Sequence, residues 1–130
     1  MTDFVDATDP AAVEQVLQLA LPGIGLPGVL EQLASVPGIP LQPWRRGGLF
    51  RQPTAAVLRV GDRALSIQPH GGARLEHIVG GVVLAGDEIS PRALPGVLAA
   101  MVVRSLEGSG AHDELSVLLT AIRDAVSASG

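Results

Sequence analysis

Glycine and proline set the length of everything this chain can build. Sixteen Gly and ten Pro stand among 130 residues, and many sit side by side. Pro22-Gly23, Pro37-Gly38, Gly47-Gly48, Gly61-Asp62, Gly71-Gly72, Gly80-Gly81, Gly86-Asp87 and Gly108-Ser109-Gly110 punctuate the sequence. Such pairs end helices and turn strands, because Pro lacks an N–H and Gly reaches positive φ at little cost. No uninterrupted run attains the ~18 apolar residues of a membrane span, so none is expected. The length suits one domain, residues 1–130.

Between the breakers, apolar periodicity assigns the elements. Asp9 is a natural N-cap and Pro10 fits the first helical position. Val13, Val16, Leu17 and Ala20 then recur at helical spacing until Pro22-Gly23. A short second helix is expected from Pro27 to about Val36, striped by Val29, Leu30 and Leu33. Residues 37–53 carry Pro37, Pro40, Pro43 and Pro53 and are expected to be irregular. Residues 1–8 precede the first element and are candidates for disorder.

The clearest strand signal follows. Ala55–Val60 and Arg63–Gln68 flank Gly61-Asp62, a two-residue hairpin turn. That register sets Val60 opposite Arg63, Leu58 opposite Leu65 and Ala56 opposite Ile67, with all six on one face. Arg59, Ser66 and Gln68 fall on the other. A third strand is expected from about Leu75 to Ala85. Its second half, Gly80–Ala85, is uncharged on both faces, which predicts a central or covered strand with a bulge at the glycine pair.

Ser90-Pro91 opens a third helix, with Pro95 one turn later. Between Ala93 and Val103 it is apolar all round and must be buried on several sides. Asp113 or His112 caps a last amphipathic helix carrying Leu115, Leu118, Leu119, Ile122 and Val126. The order is α-α-β-β-β-α-α, which predicts an α+β fold: a small antiparallel sheet with helices packed on it.

Missing residue types exclude chemistry. The chain has no Cys, Lys, Asn or Tyr, and all nine basic residues are Arg. Without Cys there are no disulfides, thiolate metal sites or Cys nucleophiles. Without Lys there is no P-loop and no Schiff base. Phe4, Trp44 and Phe50 are the sole aromatics, too few for base-stacking platforms. The net charge of −4 also argues against nucleic acid as a partner.

That charge is unevenly placed. Residues 1–43 carry −5, residues 44–63 carry +4 and residues 64–130 carry −3. The positive block either pairs with the acidic N-terminal block or receives an acidic protein or a small anionic ligand. Within it, Trp44, Arg45, Arg46 and Arg51 are the candidate partner- or anion-binding residues. Trp is a large amphipathic anchor and Arg grips carboxylates bidentately. The plainer alternative makes Trp44 a core plug and the arginines internal ion-pair partners.

Other motifs fail on context. Gly23-Ile24-Gly25-Leu26-Pro27-Gly28 matches G-x-G-x-x-G, but the preceding segment reads as helix and no acid lies between Glu31 and Asp62. The spacings of His70, His77 and His112 fit no zinc motif. Ser66, Ser90 and Ser109 lack a nucleophile-elbow context, and the adjoining Asp87 and Glu88 read as a solvated turn. No cofactor, metal or catalytic residue is assigned.

The stretch Gly38–Ser127 resembles a small family of actinobacterial proteins, a domain of unknown function. The resemblance rests on Leu41-Gln42-Pro43-Trp44-Arg45-Arg46, on Val60-Gly61-Asp62-Arg63 and on His77–Leu84. It implies no activity to carry over.

The expected function is a non-enzymatic binding or assembly module that pairs with itself as a homodimer. Mean hydropathy is +0.38, and the third strand and third helix show no evident wet face. Val97, Met101 and Val102 are the expected interface residues. One alternative is a small-molecule or lipid carrier with an apolar pocket. Another is a small enzyme using Glu76, His77 or the arginine cluster. The acidic N-terminus lacks the pattern of a secretory leader, so a cytoplasmic location is expected.

Overall fold

A computed structural model describes residues 4–42, 56–68, 72–107 and 109–129. Helix α1 spans Pro10–Ile24 and α2 spans Leu26–Ala34. Strands β1 (Leu41–Gln42), β2 (Ala56–Val60), β3 (Arg63–Ile67), β4 (Ala73–Val79) and β5 (Val82–Ile89) follow, then α3 (Leu94–Ser105) and α4 (His112–Ser129). The strands form one antiparallel meander in chain order, β1-β2-β3-β4-β5. The fold is α+β, as expected, with more strands than the sequence suggested.

Local chemistry explains the helix ends. The Asp9 carboxylate accepts from the Ala11 N–H at 3.1 Å, and Pro10 occupies the first position. Pro22 does not stop α1; it lies inside the last turn, and the helix continues to Ile24. The stop is Gly25, at φ +89° and ψ 157°, whose N–H donates to Leu21 O at 2.9 Å. That conformation belongs almost to Gly alone, and it swings the chain straight into α2. The G-x-G-x-x-G string is therefore a joint between two helices.

Cross-strand pairing in the β2–β3 hairpin matches the expected register: Val60 with Arg63, Leu58 with Leu65, Ala56 with Ile67. Ala56, Leu58, Leu65 and Ile67 are fully buried under the helices. Helix α1 packs against α2, α3 and α4, while α3 lies on β2 and α2 touches β1. The core between the layers is aliphatic, with Leu17, Leu30, Leu33, Leu94, Leu98, Leu106, Leu115 and Leu119 among its fully buried members.

Two expectations about irregular segments are corrected where they fall on described residues, residues 1–3 and 43–53 lying outside these. Leu41–Gln42 is a short edge strand paired with β2, although Pro40 precedes it. An edge position tolerates that proline. Residues 4–8 are not loose. Val5 and Ala7 are buried, the Val5 N–H donates to Thr120 Oγ1 at 2.9 Å, and Ser116 Oγ donates to Val5 O. Two hydroxyls of α4 thus hold the N-terminal segment against the helical layer.

Candidate functional site

The expected third strand is two strands. Gly80 and Gly81 have φ +59° and +82°, and two positive φ values in succession are what a two-residue hairpin turn of type I′ requires. They reverse the chain between β4 and β5. The single central or covered strand expected here is thereby replaced by a terminal hairpin with β5 at the sheet edge.

The hairpin overhangs its sheet. Strand β3 begins at Arg63, which pairs with His77, so β4 beyond His77 has no partner in β3. Past that row, Ile78 pairs with Val83 and Val79 with Val82. A register shift between His77 and Ile78 leaves Leu84 opposite no residue of β4. Residues 78–84 therefore form a projecting arm.

Its chemistry is unusual for something in water. Val79 is 50% exposed, Val82 60%, Val83 49% and Leu84 61%. No charged residue lies between His77 and Asp87. Exposed strand edges in soluble proteins usually carry charge, Pro or a covering element, and none guards the first half of β5. Asp87 and Glu88 guard only its second half, where Glu88 pairs with Arg74 at 3.3 Å.

Asp62 fixes the root of the arm. It sits in the β2–β3 turn, its carbonyl accepts from the Ile78 N–H at 2.6 Å, and its carboxylate accepts from His77 Nε2–H at 2.8 Å. The His77 hydrogen bond, offset slightly by desolvation, holds the Asp62 pKa below the usual carboxylate range.

Beside the arm root, an open cleft of about 320 Å³ runs between α3 and the sheet. Val60, Arg63 and Leu75 form one wall; Gly96, Val97, Ala100, Met101 and Arg104 form the other. The helical wall is shallow because Gly96 and Ala100, four residues apart, present little side chain. A smaller hollow shares Arg63 and Leu75 and adds Glu76, His77, Ala85 and Asp87.

The candidate residues from sequence separate into three groups. Trp44, Arg45, Arg46 and Arg51, together with His70, lie outside the described residues. Val97 is half-buried and lines the cleft. Met101 is buried beside it, and Val102 is 0% exposed within one copy, so neither offers an open interface. Most of the apolar helix α3 is covered by its own domain; among the described residues Phe4, Leu19, Ile24 and Val117 are large apolar side chains exposed elsewhere, and Val79, Val82, Val83 and Leu84 are gathered on the arm. Its signal in the sequence was the uncharged run around Gly80-Gly81, read as a covered strand.

Glu76 and His77 border the smaller hollow, while His112 stands at the start of α4. Among the described residues, no group of three or more His, Asp or Glu side chains is placed to hold a metal ion. No described helix is long and apolar enough to cross a membrane.

A family model described as a domain of unknown function, DUF5073, matches residues 1–124. No curated protein and no solved structure matches the chain. The chain belongs to the DUF5073 family.

Proposed function

We propose that this DUF5073 protein is a non-enzymatic assembly module whose arm pairs with the arm of a second copy. The observation that carries this reading is the overhang of residues 78–84, apolar and unguarded at its edge. Two β5 strands meet antiparallel about a two-fold axis passing between Val83 and Leu84. Val83 then faces the partner's Leu84, and the sheets of two copies become continuous. With that centring only residues 82–85 of each β5 face one another, and Asp87 and Glu88 of each copy lie beyond the partner's Gly80-Gly81 turn, so the acids of the two strands stay apart.

Magnitudes fit a concentration-dependent dimer. Full burial of a Val or Leu side chain is worth ~1.5–3 kcal/mol. Four such side chains per copy, partly covered on pairing, supply a gain of the same order as the ~4–15 kcal/mol cost of association. Backbone hydrogen bonds between the two edges add register.

Amide exchange tests the surface directly. Exchange at Val82–Ala85 slows as protein concentration rises from low to high micromolar, while amides of the core helices do not change. Concentration-independent exchange along β5 contradicts the pairing.

A further inference from the structure

We infer that the cleft between α3 and the sheet is a binding site for a carboxylate on a short acyl chain. The cleft contains no residue of the arm, so this site is independent of self-association. Its volume, about 320 Å³, lies at the small end of the ~300–1,000 Å³ range of ligand pockets. Its floor is apolar: Val60 and Leu75 from the sheet, Val97, Ala100 and Met101 from the helix. Met adapts its shape to a flexible chain.

Charge decides what kind of chain. Arg63 and Arg104 are the two charged residues of the lining, and both are exposed. The described ion pairs join Arg74 with Glu88, His77 with Asp62 and Arg123 with Asp124, and so leave both lining arginines out. Arg63 stands on the sheet wall, opposite Val60 and His77. Arg104 ends the stripe Gly96-Ala100-Arg104 at four-residue spacing on the helix wall. Two guanidinium groups on facing walls of an apolar cleft match an anionic head with a hydrocarbon tail. Glu76 and Asp87 line the adjoining hollow and not the cleft, and Asp62, which interacts with the Arg63 charge, lies outside the cleft lining and is hydrogen-bonded to His77. Glu14 approaches Gly96 from α1 and hydrogen-bonds Gln18. A cationic amphiphile finds no carboxylate in the cleft lining.

Octanoate is the probe, followed by amide chemical shifts in the full chain. Octyltrimethylammonium at the same chain length is the control. Octanoate shifts Arg63, Leu75 and Val97–Arg104 saturably, and Arg63→Gln and Arg104→Gln each weaken it by about tenfold. Both substitutions are at exposed positions and leave the unliganded spectrum folded. Ala100→Phe, which fills the cleft from the helix wall, removes the saturable shifts. The site is refuted by absence of saturable shifts at millimolar octanoate, by equal binding of the ammonium control, or by unchanged affinity in both arginine variants.

Discussion

Asp62 holds His77 across the root of the arm, with 2.8 Å between Oδ2 and Nε2. The same residue's carbonyl takes the Ile78 N–H, so one turn residue anchors β4 at the row where the sheet ends and the arm begins. The arm therefore departs from a fixed point.

This contact has a pH signature. The hydrogen bond from His77 lowers the Asp62 pKa in the folded chain. A depressed carboxylate pKa stabilises the fold above the unfolded value and loses that contribution as pH falls through the folded value. Both partners are about half exposed, so the effect on global stability is small. Carboxyl-detected NMR titration finds Asp62 below its ordinary value of 3.8. In His77→Ala it returns toward that value. An identical Asp62 titration in both proteins would remove the role assigned to the pair.

Thr120 is the buried polar side chain among the described residues, and it accepts the Val5 N–H. Thr120→Val keeps the shape and leaves that buried donor without its acceptor. The expected loss is ~1–3 kcal/mol in chemical denaturation. Thr120→Ser retains the acceptor and loses less. Equal stability of the Val variant and the wild type would mean that the N-terminal segment does not need this bond.

Neighbouring glycines in the first helix joint respond in opposite directions. Gly25 holds φ +89° and ψ 157°, where a Cβ is strained, so Gly25→Ala destabilises by ~1–3 kcal/mol. Gly23 lies inside α1, and a Cβ there meets the Val126 methyls at an ordinary 3.6 Å. Gly23→Ala is neutral or stabilises by up to ~1 kcal/mol. Thermal melts of the two variants check the pair, and a common sign for both shifts would contradict the joint.

Much of this fold was legible. The β2–β3 register followed from period-two alternation around Gly61-Asp62, because a slip of one residue would turn Leu58, Leu65 and Ile67 out of the core. The arm was visible but misread. An uncharged strand signals that something covers both faces, and the residues alone do not say whether it is the same chain or another. Helix α3 carried the same ambiguity and resolved the other way: Leu98 and Val102 are enclosed by their own domain. Pro22 misled because a proline in a last turn sacrifices one hydrogen bond without ending the helix. The cleft was not legible, since Arg63 and Arg104 are 41 positions apart and meet only when α3 lies on the sheet.

Solution mass tests the central claim most directly. Sedimentation equilibrium of the wild type at high micromolar concentration is expected to approach twice the 13.3 kDa chain mass. Val83→Lys places a charge on the exposed edge, where it leaves the fold intact and returns the mass to one chain. A wild-type mass of one chain at that concentration, or a dimer that survives Val83→Lys unchanged, would contradict assembly through the arm.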